Sequence, residues 1–405
     1  MAESIKRHWQ AAVLLAVLAL LPVGRLAELP ILIGTIAGMI LLLRGHIDLR
    51  LPLPRLGLLL FAGYWLPELL SAPDAINVRR AWTEVAADLR FLFFLQFAMH
   101  ALRDGDARWR VSVGSAALLA LFCLDGLLQA ATGLSFGGPS DPQRLSGIFG
   151  AGNLKLGLVL GALSPLLLIP TQRRFGLRGL LLAGAALLVV VFLAGARAGW
   201  LMLALALLLA LWTGRPAKRA ALLTVAAAGL ALLVAVAATW LSPRFEARIE
   251  RSAAALSLDR DGLDHALSDR LPIWEAAIDM GADHPVNGVG VRGFREAYPI
   301  YAPSGDKWVS QGDTALHAHQ LLLEIWAETG AIGLLCWLIA VVAAARHWRQ
   351  LPHGQRTQAL APTQALMVML FPLNTHLAFY SSFWGLLLFW LLALWLGFLQ
   401  RDIAA

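Results

Sequence analysis

Twelve apolar runs, bounded by charged or Pro/Gly-containing segments, divide this chain near 9–23, 29–43, 56–70, 86–101, 111–132, 147–169, 179–195, 198–213, 220–240, 330–345, 358–373 and 383–399. A membrane-crossing helix needs about 20 predominantly apolar residues. Backbone N–H and C=O groups find no water in the bilayer core, so segments of this kind cross as helices, each satisfying its own backbone. Of the 405 residues 59% are hydrophobic and 15% charged, against roughly 45–50% and about 25% in soluble domains. Two or three soluble domains, the reading that length alone would suggest, are thereby excluded. The expectation is a polytopic all-α membrane protein of about twelve transmembrane helices. Runs 179–195 and 198–213 have only the turn Gly195-Ala196-Arg197 between them and read as a tight hairpin. The first run follows Lys6 and Arg7, but Leu21-Pro22-Val23-Gly24-Arg25 has no small-x-small cleavage pattern, so an uncleaved first helix is expected.

The net charge of +7 raises nucleic acid as a partner, and the placement of the charges decides against it. Alternate loops carry Lys6, Arg7; Arg44, Arg50, Arg55; Arg103, Arg108, Arg110; Arg173, Arg174, Arg178; Arg215, Lys218, Arg219; Arg346, Arg349, Arg356; and Arg401. The intervening short loops carry only Arg25, Arg79, Arg80, Arg144 and Arg197. Lys and Arg concentrate on the cytoplasmic side. Both termini are therefore expected in the cytoplasm, with the one long loop on the outer face and the basic balance a matter of topology. The chain divides into helices 1–9 over 1–240, the large outer loop over 241–329, and helices 10–12 over 330–405. Cys123 and Cys336 both fall in apolar runs, so neither a disulfide framework nor a cysteine metal site is expected.

Between 241 and 320 the loop holds 8 Lys/Arg and 12 Asp/Glu, so its arginines act singly rather than as an anion sponge. Ser242-Pro243 opens it, and Leu271-Pro272-Ile273-Trp274 starts a Pro-initiated amphipathic helix that His284-Pro285 ends. Asn287-Gly288-Val289-Gly290 reads as a turn, and a further helix is expected to begin near 313–319 and run on into the span at 330. There is no G-x-x-x-x-G-K-[ST], H-E-x-x-H or G-x-S-x-G, which prunes nucleotide hydrolases, zincins and α/β-hydrolases. Asp259-Arg260-Asp261 is a D-x-D, a pattern that an acidic loop matches easily by chance.

His317 and His319 stand at a helix entry, where oriented N–H groups disfavour imidazolium and a neutral ring can accept a proton. The same outer face can gather Arg197 in its hairpin turn, Arg270 at the start of the loop helix, and Arg79 and Arg80 from the 71–85 loop. A guanidinium stays charged and grips phosphate oxygens bidentately; the plainer role for such arginines is snorkelling to lipid head groups. Lys155, after Gly150-Ala151-Gly152-Asn153, and Arg90, after Asp88, are ionisable groups inside apolar runs and so candidate functional residues. For Arg90 an intramembrane pair with Asp88, Asp125 or Glu84 is the competing reading. His376 and Asn374, in the last outer loop, could face the same cavity.

His319-Gln320, nine residues, Gly330, Ala331, Ile332 and Gly333 fit the pattern H-[NSQ]-x9-G-x-x-[GTY] at every fixed position. Arg270-Leu-Pro-Ile-Trp274 through His284-Pro285-Val-Asn-Gly288-Val-Gly290 is similar to R-x-x-x-W…HP-x-x-G-x-G, and Gly195-Ala-Arg197-Ala-Gly199 resembles an S-R-[GA] turn with Ala196 in place of serine. Gly150-Ala-Gly152-Asn153 resembles a degraded G-N-P-N. These motifs resemble the O-antigen ligase family, which includes O-antigen polymerases and protein O-oligosaccharyltransferases. The resemblance implies a GT-C-like glycosyltransferase of the bacterial inner membrane with short amphipathic helices in its large periplasmic loop. It would move a glycan from undecaprenyl diphosphate to a sugar hydroxyl of lipid A-core at the periplasmic face, with inversion and with no metal or cofactor. In that reading His319 is the base and Arg197, Arg270, Arg80 and Arg79 hold the diphosphate. His317, Arg292, Lys155 and Asn153 are further substrate-binding candidates. A transporter of lipid-linked sugars is the reading from another class, and it lacks the paired broken helices such proteins show.

Overall fold

The computed structural model describes residues 2–139, 144–241, 262, 264, 267, 269–375 and 377–400. The chain is an all-α integral membrane protein. Its helices are α1 (Ala2–Leu20), α2 (Glu28–Leu43), α3 (Pro52–Ser71), α4 (Val78–Ala101), α5 (Gly105–Thr132), α6 (Lys155–Leu163), α7 (Pro165–Leu193), α8 (Arg197–Trp212) and α9 (Ala217–Leu241). They continue with α10 (Leu271–Asp283), α11 (Phe294–Tyr301), α12 (Lys307–Ser310), α13 (Leu321–Gln350), α14 (His353–Gln358), α15 (Leu360–Met369) and α16 (Ser382–Phe398). Leu134–Ser135 pairs antiparallel with Gly138–Pro139 in a two-stranded sheet. Three helices, α5, α7 and α13, are long and apolar enough to cross a membrane, and α2, α8, α15 and α16 are shorter apolar helices.

Helix α16 is apolar on every side, and a helix of that kind belongs in the interior; nearly all of it from Trp384 to Phe398 is buried. Its sides meet α4 and α15, and its first turn hangs from the segment 370–381. The run at 147–169 is not one helix. It divides into a short 3-10 turn, Gly147–Phe149, then α6, then the start of α7, which continues through a break at Gly176 (φ 65°, ψ −152°). The hairpin at 195–197 is present: α7 ends at Leu193 and α8 begins at Arg197.

The helix expected from 313–319 begins later, at Leu321, because Gln320 is its cap: the Gln320 side chain accepts the Leu323 N–H at 2.6 Å. It does run on past 330, with a break at Gly330 (φ 61°, ψ −154°). The break is where the loop docks. Ala331 N–H donates to Pro285 O at 2.9 Å and Ile332 N–H to Val286 O at 3.1 Å. A Cβ at Gly330 would meet the Val286 carbonyl carbon at 2.6 Å, and one at Gly288 (φ 66°) the Glu328 carbonyl carbon at 2.4 Å. The two glycines are thus required by one close approach of backbones. Above this contact the loop builds its own small core, with Ile273, Ala276, Ala277 and Met280 of α10 against Phe294, Ala297 and Tyr298 of α11 and Ala327 of α13. Asp259-Arg260-Asp261 lies outside the described residues.

Candidate functional site

Arg197 is the first helical residue of α8, and Arg270 caps α10. The two are close enough to feel each other's charge: burial, with the Arg197 guanidinium adding to it, pulls the Arg270 pKa down to about 10. Arg270 therefore remains a cation at neutral pH, at a cost that an anion would relieve. Its Nη1 donates to the carbonyl of Thr375 at 2.5 Å. Gln320, next to His319, donates through Nε2 to the carbonyl of Pro372 at 2.9 Å. Asn374, buried between them, donates through Nδ2 to Met369 O at 3.0 Å and lies 3.3 Å from Met202 Sδ of α8. The segment 372–375 is therefore a common anchor for the helix of Arg197, the cap of Arg270 and the residue beside His319. The His317 and His319 rings lie 3.9 Å apart between centroids, tilted by 48°, and both are half-buried.

A second charged cluster is built differently. Arg80 pairs with Glu296 at 2.9 Å. Arg292 Nε lies 3.9 Å from Glu84 Oε1, and Arg292 Nη1 donates to Tyr380 O at 3.2 Å. Buried Glu328 of α13 accepts the Arg292 N–H at 2.8 Å and the Phe294 N–H at 3.3 Å, while buried Glu324, one turn earlier, accepts the Tyr380 N–H at 3.2 Å. Burial lowers the Arg295 pKa, and neighbouring Arg80 and Arg292 add to the effect. Here carboxylates on α4, α11 and α13 balance the guanidinium groups, and Tyr380 ties the cluster to the other end of the 370–381 segment.

Among the described residues the non-glycines with left-handed backbone are Asp269 (φ 57°), Arg292 (φ 60°) and His319 (φ 56°). Each such conformation costs about 1–2 kcal/mol. Two are candidate site residues, and the third precedes Arg270. Glu328, through its bond to the Arg292 N–H, helps offset one of these costs.

Other candidates are placed elsewhere. Arg79 is exposed, with its carbonyl accepting from Thr83. Asn153 shapes the start of α6, its Oδ1 accepting the Lys155 N–H at 3.0 Å. Lys155 Nζ lies 4.1 Å over the ring of Phe383. Arg90 pairs with Asp88 at 2.8 Å and with Glu28 at 3.3 Å; of the three partners considered from sequence, Asp88 is the one found in contact. Gly199, beside Arg197, allows a close backbone approach: a Cβ there would meet Gly157 O of α6 at 2.7 Å. His376 lies outside the described residues. Sequence reasoning passed over Glu324 and Glu328, although two glutamates four apart beside an apolar run are an intramembrane signal of the same kind as Lys155.

The fold and site define an integral membrane protein with paired guanidinium groups and two histidines gathered at one end of its helices. Residues 156–338 match the model of the O-antigen ligase family, and over that stretch the family resemblance read from the motifs is shown. The matched stretch contains Arg197, Arg270, Arg292, His317 and His319; Arg79, Arg80, Asn153 and Lys155 precede it. No curated protein matches the chain. The family supports an enzyme acting in O-antigen assembly at a membrane.

Proposed function

We propose that this chain is an O-antigen ligase, transferring glycan from undecaprenyl diphosphate to a sugar hydroxyl of lipid A-core. It acts at the periplasmic face of the inner membrane, with both termini in the cytoplasm and twelve crossings. His319 accepts the proton of the attacking hydroxyl as the new glycosidic bond forms with inversion. The bond between the anomeric carbon and the diphosphate oxygen breaks, and its electron pair leaves on undecaprenyl diphosphate. Arg197 and Arg270 hold that leaving group, with Arg80 or Arg79 assisting. Charge grows on the diphosphate as the bond breaks, so guanidinium groups fixed beforehand favour the transition state over the ground state. They supply the positive charge that a metal supplies in other glycosyl transfers.

The observation that carries this reading is the Arg197–Arg270 neighbourhood, two like charges beside the 372–375 segment that also fixes the residue next to His319. The test is transfer by the purified protein with undecaprenyl-diphosphate-linked O-antigen, lipid A-core and EDTA present. Wild type is expected to form product, and His319→Ala to lose at least about 10²-fold with donor binding retained. Lengthened donor glycans would point to a polymerase, glycan on a serine to a protein O-oligosaccharyltransferase, and passage across liposomes to a transporter. A large loss of donor binding in His319→Ala would make His319 a ligand rather than the base.

A further inference from the structure

Away from the paired arginines, a cavity of about 810 Å³ opens between the α1–α2 turn, α4, the start of α6 and the start of α16. That is within the range of about 300–1,000 Å³ typical of small-molecule sites. Its walls below the rim are largely apolar, with Thr35 among them, and Leu32, Met39 and Leu89 are exposed along it, so it faces the membrane sideways. Its rim is charged, with Arg25, Arg90 and Lys155 against Glu28 and Glu84. Both carboxylates are engaged, Glu28 by Arg90 and Glu84 by Arg292. Arg25 and Lys155 have no ion pair among the described residues, and they come from different elements on the rim. Phe383, itself part of the lining, supports the lysine ammonium from below. Two cations over an apolar trench at the outer end of the helices suit an amphiphile with anionic groups on its head.

The cavity and the paired arginines lie at opposite ends of one segment. Pro372 and Thr375 hold the His319–Arg270 side, whereas Ser382 and Phe383 line the cavity. Glu84 lines the cavity and reaches Arg292, which in turn bonds Tyr380. We propose that this lateral cavity binds a phosphorylated lipid, the lipid half of the acceptor, with Arg25 and Lys155 taking its phosphates. Resting on the ligase reading, this gives donor and acceptor separate doors to one site. The donor diphosphate goes to Arg197 and Arg270, and the acceptor lipid enters past α2 and α4.

The test reads binding without turnover. The full chain, with a benzophenone amino acid replacing Leu32, is placed in nanodiscs of phosphatidylcholine and irradiated with diphosphoryl lipid A, dephosphorylated lipid A, phosphatidylglycerol or undecaprenyl phosphate. Diphosphoryl lipid A is expected to cross-link at least tenfold more than its dephosphorylated form. Arg25→Glu with Lys155→Glu should abolish that preference, and the milder Arg25→Ala with Lys155→Ala should reduce it at least threefold. Equal capture of dephosphorylated lipid A or of phosphatidylglycerol overturns the proposal, as does preferential capture of undecaprenyl phosphate, which would make the cavity a donor site. Selective capture by a protein that fails to transfer to lipid A-core would leave the cavity standing and remove the ligase reading; transfer without selective capture would do the reverse.

Discussion

Arg270 and Arg292 are both half-buried arginines of the same loop, yet their surroundings differ. Arg292 faces Glu84, and Glu328 holds its backbone; its neighbour Arg80 has Glu296. Arg270 is held by a neutral carbonyl, beside another guanidinium that lowers its pKa further. A cation matched by a carboxylate is part of the scaffold, because the protein itself completes its electrostatics. A cation set beside a like charge is kept at a cost, and the cost is recovered when an anion arrives. The difference separates Arg270, proposed to hold the diphosphate, from Arg292, which shapes the loop around it.

The largest expected effects lie in the first group. Arg197→Lys and Arg270→Lys should each lower turnover by about 10²–10³-fold, since one ammonium does not reproduce a bidentate fork. Arg292→Lys, with Glu84 still opposite, should lose less than about tenfold. Steady-state transfer rates of the three purified variants would check this ordering, and equal losses would erase the distinction between the groups. Next in size is the backbone contact beneath both. Gly288→Ala and Gly330→Ala each put a Cβ into backbone at a left-handed position, at an expected cost of about 2–4 kcal/mol. Thermal unfolding of the detergent-solubilised protein should show lowered midpoints, with activity lost in proportion to the folded fraction.

Most of the helices were legible in the sequence because apolar runs and their charged boundaries are local, but the division of the run at 147–169 was not. The motif of His319, Gln320 and Gly330 was legible too, but its reason was not. Gln320 caps α13, nine residues carry the helix to Gly330, and there the His284–Gly288 turn docks. That contact joins residues about forty positions apart, beyond what a pattern of types can display. Arg197 and Arg270 could be named together because the expected topology puts both on the outer face. The pairing of Arg80 with Glu296 could not, since 216 residues separate them. Neither could the 370–381 segment be recognised as the hub, because its contribution is made largely through the carbonyls of Pro372, Thr375 and Tyr380, which any sequence supplies.

A smaller effect concerns stability and has the opposite sign to the effect on activity. The Arg270 pKa is lowered to about 10, so the folded state disfavours its charged form. For a base this penalty is present at every pH below about 10 and fades as pH rises from there toward its ordinary value. Arg270→Gln should therefore unfold later than wild type at pH 7, by roughly 1–2 kcal/mol after allowing for partial exposure and the lost bond to Thr375. The gain should shrink above pH 10, while transfer is lost at all pH values. Unfolding midpoints of both proteins at pH 7 and pH 10.5 would show it. A variant less stable at pH 7 would mean that the bond to Thr375 outweighs the buried charge, and would move Arg270 toward the scaffold group.

The smallest effect tests the other cluster. Arg80 and Glu296 are each a little over a quarter exposed, at 28% and 29%, and pairs so placed contribute about 0.5 kcal/mol. In a double-mutant cycle of Arg80→Ala and Glu296→Ala on unfolding, the coupling should be of that size and should weaken with added salt. If Arg80 acts mainly through Glu296, the two single variants should lower transfer by similar small factors and the double variant by no more than either. If Arg80 also reaches the donor diphosphate, Arg80→Ala alone should raise the donor KM, Glu296→Ala should not, and the double variant should follow Arg80→Ala. The stability cycle and the transfer cycle then part, and Arg80 joins Arg197 and Arg270 despite its carboxylate partner.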